Sequence, residues 1–421
     1  MVFALKGDII YSKNLNELYE YKDSYVISEN QKSVGVYKEL PEQYKNIKIY
    51  DYTGHLIIPG LVDLHLHAPQ YQFIGINMDL ELLDWLNTYT FPEEGKYVDI
   101  EYAKKAYDIF VDKLKQSATT RAVIFATVHK DATKYLFEKI EESGVVSYIG
   151  KVNQDRNSSD GLLETTENSI KDSLDVIEYS HKFVRTKYIV TPRFVPTCSD
   201  ELLSELGKIA KNDNLKIQSH LSENLSEISW VKELVPNSKT YGDAYDMFGL
   251  LGDNNQSIMA HCVHLDNYDI DLLKQHGTFV AHCPSSNRNL SSGIAPIRKY
   301  IDDGLNIGLA TDVSGGSYMS MFRAIEDCIT ASKMRSVLVD KNNKFVSFTE
   351  SFYLATIGGG RFFGKVGSFD KDFEFDALVL DESDNPTTLF DSLSLSQRLE
   401  RFIYNPNLKL LKKFAFGKEI I

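Results

Sequence analysis

A chain of 421 residues, 43% hydrophobic and 25% charged, can bury a sizeable core, and its formal charge of −13 opposes a nucleic-acid partner. The four cysteines, Cys198, Cys262, Cys283 and Cys328, form no CxxC pair and fit a reducing cytoplasm, so no disulfide is expected. The N-terminal stretch MVFALKGDII meets Lys6 and Asp8 before a signal core can form, and no later apolar run reaches membrane length, so the expectation is a cytoplasmic protein without a membrane partner.

In chain order, residues 1–58 carry short runs with Tyr and Val (DIIYS, SYVIS, SVGVY, IKIYDY), and 373–421 carry FEFDALVLD and LKKFAFGKEII. The two ends are expected to pair into one small discontinuous β-sandwich. Over 59–372 apolar runs of strand length alternate with segments of helical spacing. The runs are HLIIPGLVDLHLH (55–67), AVIFATVH (122–129), VVSYIGKVN (145–153), KYIVTPRF (187–194), LKIQSHLSE (215–223), SIMAHCVHL (257–265), TFVAHCPSSN (278–287) and NIGLATDVS (306–314). Helices are expected at 101–116 and 200–211, the latter with Leu202, Leu203, Leu206, Ile209 and Ala210 on one face. Continuous apolar strands alternating with helices imply a covered parallel sheet, and eight such units are the count of an α/β fold of the (β/α)8, TIM-type barrel class.

In such a barrel the active site lies at the C-terminal strand ends. Those ends carry His65 and His67 on the first strand, Arg193 on the fourth, His220 and Glu223 on the fifth, His261 on the sixth, His282 on the seventh and Asp312 on the eighth. Positions i and i+2 of a strand share a side, so His65 and His67 can face one ion. With His220 and Asp312 they make a three-nitrogen, one-oxygen set with room for water, the pattern of a catalytic Zn²⁺ or Fe²⁺ site. Such an ion lowers the pKa of water to roughly 7, which points to hydrolysis. The other histidines read as ordinary residues: His55, His129 and His264 in core or rim hydrogen bonds, His276 at a helix C-terminus, His181 in solvent. Cys262 and Cys283 read as small buried hydrophobes, and Gly315–Gly316 and Gly358–Gly360 as turns.

The motifs PGLVDLHLH (59–67), SHLSE (219–223), AHC (260–262) and TD (311–312) are similar to those of the amidohydrolase superfamily. The finer stretches HAPQYQF (67–73), LLDWLNTYTFP (82–92), VTPRF (190–194), QSHLSEN (218–224), HCPSSNRNLSSG (282–293) and TDVSGGSYMSM (311–321) resemble its guanine-deaminating branch. The likeness covers nearly the whole barrel. It implies a homodimer that hydrolyses guanine to xanthine and ammonia; the alternative is another purine, pyrimidine or triazine ring. Relatives with two metals bridge them by a lysine at the end of strand 4, where this chain has Thr191-Pro192-Arg193 and where Lys187 stands at the wrong end, so one divalent ion is implied, zinc before iron. The likeness also makes Glu223 the proton shuttle, puts His261 beside the reacting water, and has Asp312 both bind the metal and accept a proton. Arg193 would offer its donor fork to the purine O6 and N7, the competing use being a salt bridge to a rim carboxylate. Gln70, Phe194, Trp85, Glu223 and His282 complete the expected substrate contacts. The segment 68–96 exceeds a usual βα loop and is expected to cover the purine.

Overall fold

The computed structural model describes residues 2–253, 256–341, 344–383, 393–405 and 409–421. Its centre is a barrel of parallel strands in sequence order: β1 (Leu61–His67), β2 (Thr119–Phe125), β3 (Val146–Gly150), β4 (Thr186–Pro192), β5 (Lys216–Leu221), β6 (Ser257–His261), β7 (Phe279–His282) and β8 (Asn306–Leu309). A two-residue strand, Val152–Asn153, pairs beside the end of β4. The first and last strands meet where the chain leaves β8. There Asp312 N–H donates to His65 O and His67 N–H to Val313 O, each at 2.9 Å, and the buried Asp63 carboxylate accepts from Thr311 N–H at 3.0 Å. Amphipathic helices cover the outside. In Asp200–Asn212 a buried face of Leu202, Leu203, Leu206 and Ala210 packs inward, and Ser199 caps the N-terminus through Leu202 N–H.

The apolar run 55–67 is two strands. Lys48–Pro59 belongs to a second sheet and Leu61–His67 to the barrel. The break falls at Gly60, where a Cβ would lie 2.1 Å from Thr120 Oγ1, so glycine leaves the room that the Thr120 side chain occupies. The second sheet has seven strands contributed by both chain ends, in the order Lys418–Glu419, Lys409–Ala415, Ala377–Asp381, Lys48–Pro59, Val2–Asn14, Glu17–Glu29 and Lys32–Tyr37. Phe3 sits at its centre, edge-on to Phe375 and stacked on Phe414.

Two buried basic side chains join this sheet to the barrel. Arg121 of β2 donates through Nε and Nη2 to Asp376 at 2.6 and 2.9 Å and through Nη1 to Glu374 at 2.7 Å. Lys413 Nζ donates to the carbonyls of Leu114, Lys115 and Ser117, closing the C-terminal end of helix Ile100–Gln116. Asp376→Ala would leave the buried Arg121 charge with Glu374 alone, and breaking a buried pair costs up to about 3–5 kcal/mol. The expected result is a matching fall in unfolding free energy in urea; an unshifted midpoint would show that the pair contributes nothing. No helix among the described residues is long and apolar enough to cross a membrane.

Candidate active site

The strand ends deliver the functional side chains through unusual backbone. Ser222, His261, Cys262 and Asp312 all have positive φ, between 47° and 71°, a conformation that non-glycine residues adopt only when their surroundings hold them there. Each lies within a few residues of a strand end, where the chain must turn sharply; of the four, His261 and Asp312 bring their side chains to the cavity. Gly316 serves the same turn by close approach, since a Cβ there would meet Thr311 O at 1.9 Å.

Within this ring His65 Nε2 lies 3.2 Å from Asp312 Oδ1, and His67 Nε2 lies 3.6 Å from the same oxygen and 3.2 Å from His220 Nε2. Metal-ligand bonds of about 2.0–2.1 Å in a tetrahedral shell would space donor atoms about 3.3 Å apart, so this set fits one small cation. Its hydrogen bonding agrees. His220 Nδ1 faces the Arg193 carbonyl at 2.6 Å and must be the donor there, leaving Nε2 as a lone pair. His65 Nε2, buried, approaches Asp312 Oδ1 without a well-directed hydrogen bond, a state that a cation shared by the two would relieve. His261 adds Nε2 3.8 Å from Asp312 Oδ2 and 3.3 Å from Glu223 Oε2. Its Nδ1 is held by Asn287 Oδ1 at 2.9 Å.

The electrostatics suit ligation. Burial, reinforced by the neighbouring His65, keeps His67 and His220 well below the usual histidine range, so both are neutral donors. Burial alone would raise the Asp312 carboxyl, but the facing His65, His261 and His67 hold it well below the usual carboxylate range. Glu223 behaves in the opposite way. Burial pushes its carboxyl up to about 7, with His261 opposing and Asp312 adding to the rise. For His261 burial works downward, but the Glu223 and Asp312 carboxylates outweigh it. The site therefore holds one ionised carboxylate and one that can carry a proton near neutrality.

These groups open into one cavity, whose wall includes His67, His220, His261, Asp312 and Glu223 on the chemical side and Gln70, Arg193, Phe194, Trp85, Leu82 and Leu86 around it. The covering segment is no loose loop. It folds as short helical turns, Leu82–Trp85, Leu86–Thr90 and Phe91–Gly95, that carry Leu82, Trp85 and Leu86 onto the cavity. Phe194 and Trp85 both reach the wall, Trp85 packed against Phe73 at 5.6 Å. His282 is buried but does not appear in that wall. Arg193 reaches it while also making the salt bridge that competed with substrate binding in the sequence reading: Nη1 and Nη2 donate to the two oxygens of Glu94. Gln70 Nε2 donates to the same carboxylate at 2.9 Å. Glu94, Asn287 and Ser292, whose Oγ donates to Glu223 Oε1 at 3.0 Å, are the contributors that sequence reasoning missed. Asn287 and Ser292 fall inside HCPSSNRNLSSG, a stretch already singled out; for Glu94 the available signal was an arginine destined for a buried site and lacking a named carboxylate.

Most of the bystanders have ordinary partners, although the buried His129 Nε2, expected in a hydrogen bond, has none among the described residues. His264 Nε2 meets Ser292 O at 2.7 Å, His276 closes helix Asn267–His276 before Gly277 and faces Asp246, and the Cys283 thiol, raised by burial, stays protonated beside Ala281 O.

Compared with known proteins, residues 56–415 match the model of the amidohydrolase family. The chain is 36% identical to the guanine deaminase of Dictyostelium discoideum, over 96% of this chain and 94% of that protein. It is 40% identical to that of Mus musculus, over 90% and 86%. Among solved structures it superposes with a TM-score of 0.96 and 44% identity, over the full length of both chains, on a guanine deaminase from C. acetobutylicum with guanine bound in its active site.

Proposed function

The chain belongs to the amidohydrolase family, and from that premise we propose that it is a metal-dependent hydrolase converting guanine and water to xanthine and ammonia. The observation that carries this reading is the convergence, in one cavity, of a one-cation donor set, a carboxyl titrating near neutrality and the donors Arg193 and Gln70. The relatives named guanine deaminase match over 96% and 90% of this chain.

His65, His67, His220 and Asp312 would hold the ion, Zn²⁺ first and Fe²⁺ second, since three nitrogens and one oxygen suit either. When bound, the ion supplies Lewis acidity that brings the pKa of water toward neutrality. Asp312, ionised, takes a proton from the attacking water, and His261 Nε2 hydrogen-bonds that water, its orientation set by Asn287. Glu223 delivers a proton to N3 of guanine as C2 is hydrated, and Ser292 holds its carboxyl in place. The 2-amino group then leaves as ammonia with the proton held by Asp312, and Glu223 takes back the proton of the C2 hydroxyl, leaving the 2-oxo group of xanthine. Arg193 and Gln70 fix the O6 and N7 side of the base, Phe194 stacks on it, and Trp85 with the covering turns excludes water. His282, buried at the end of β7, is the remaining candidate contact to the base. The chemistry is assigned to the barrel, 59–372, with 1–58 and 373–421 as a separate unit beside it.

We assign a cytoplasmic homodimer. All four cysteines are free and buried, in keeping with a reducing compartment; light scattering tests the assembly. The experiment for the reaction itself is ammonia release from guanine, adenine, cytosine and a triazine, with metal measured in the same sample. Release from guanine alone supports the proposal; release only from another ring replaces the substrate. Arg193→Ala is expected to raise KM for guanine about 10–100-fold, the value of charge-assisted hydrogen bonds. An unchanged specificity profile would move the base elsewhere in the cavity.

A further inference from the structure

We infer that Glu94 is a positioning residue that holds both base-recognising donors and cancels the charge of Arg193, so that the cavity accepts neutral guanine in preference to ionised product. The inference rests on the substrate reading above and adds a residue and a discrimination to it.

Glu94 is 1% exposed and stands on the covering turn Phe91–Gly95, outside the cavity wall. Its Oε2 accepts from Arg193 Nη1, and its Oε1 accepts from Arg193 Nη2 at 3.2 Å and from Gln70 Nε2 at 2.9 Å. The Arg193 guanidinium also lies over the Phe91 ring, 5.0 Å from its centroid, so one short turn grips it twice. A carboxylate only accepts, hence the Gln70 atom facing it is the NH2 group. Gln70 Oε1 in turn accepts from Ser314 N–H at 3.1 Å. The Gln70 amide therefore cannot flip without losing both bonds, and its remaining N–H joins the free guanidinium N–H groups as a fixed donor array.

The charge balance gives the discrimination. Guanine is a neutral base, whereas xanthine, with a second ring carbonyl, loses a proton more readily. A bare buried arginine would favour the xanthine anion over guanine and retain product. With Glu94 against it, the guanidinium donates hydrogen bonds with little net charge to offer, and that advantage of the anion is lost.

The test is the ratio of the inhibition constant of xanthine to KM for guanine, measured on the metal-loaded full chain at mildly alkaline pH. Glu94→Gln keeps the shape and removes the charge. KM is expected to rise about tenfold while kcat changes less, and the ratio is expected to fall about tenfold or more as the anion gains. Arg193→Gln leaves Glu94 uncompensated, and the ratio is expected to move the opposite way. Glu94→Asp retains the charge and restores the wild-type ratio even if KM stays raised. A merely structural role would loosen the site for both purines together and leave the ratio where it was, so an unchanged ratio in Glu94→Gln overturns the inference. If that variant does not fold, Arg193→Gln decides alone: a raised ratio supports the inference, and an unchanged or lowered one overturns it. Failure of the wild-type chain to consume guanine would instead remove the substrate reading, and this inference with it.

Discussion

Glu223→Gln is expected to leave the metal in place and to reduce turnover of guanine about 10²–10⁴-fold, the usual worth of a positioned acid and base. The geometry separates these two outcomes. Glu223 stands 3.3 Å from His261 but outside the cluster of His65, His67 and Asp312 whose donor atoms lie within 4.8 Å of one another. A glutamine retains an oxygen for the Ser292 hydroxyl, so the side chain stays where it is. What disappears is a carboxyl raised to about 7, a group of the wall that can both give and take a proton near neutrality. Elemental analysis and kcat are read on one preparation. Turnover within a few-fold of wild type would take the proton shuttle away from Glu223, and lost metal would make it a ligand instead.

His65→Ala is expected to abolish activity by a different route, through the metal. Removing a ligand nitrogen costs more than the 10–100-fold in affinity attributed to outer-shell partners. Dialysed protein should fall from about one ion per chain to near none. Stability offers a second readout that does not depend on turnover. A ligand that binds only the folded state at 1,000 times its Kd adds about 4 kcal/mol, so added Zn²⁺ should raise the melting temperature of the stripped wild-type chain and not that of the variant. Full occupancy in His65→Ala would remove His65 from the donor set. The neighbouring rings of His67, His220 and Phe125, all within 4.9 Å, could close over the lost imidazole, so near-normal circular dichroism is expected alongside the lost metal.

Residue pattern alone determined the barrel and its ring of candidate metal ligands. Alternation in a strand obliges His65 and His67 to share a face, and eight apolar runs bounded by amphipathic helices leave few other ways to bury that much surface. Because strand ends of a parallel barrel converge, residues as distant as His65 and Asp312 were legible as neighbours before any coordinate was known. The run 55–67 was legible only in part. Its apolarity is continuous through Gly60, although one half pairs in the end sheet and the other in the barrel, and hydrophobicity does not report which sheet a strand joins.

Tertiary structure decided what surrounds those ligands. Glu94 reaches Arg193 across 99 positions and Gln70 across 24, from a segment of short turns with no periodicity to read. Asn287 and Ser292 set His261 and Glu223 from the chain that follows β7, and His282, expected to touch the substrate, is buried without forming part of the cavity wall. The physical reason is the same in each case. Periodicity and spacing specify which face of its own element a side chain occupies, whereas the identity of a buried polar partner depends on how separate elements close around it, and only the folded chain fixes that closure.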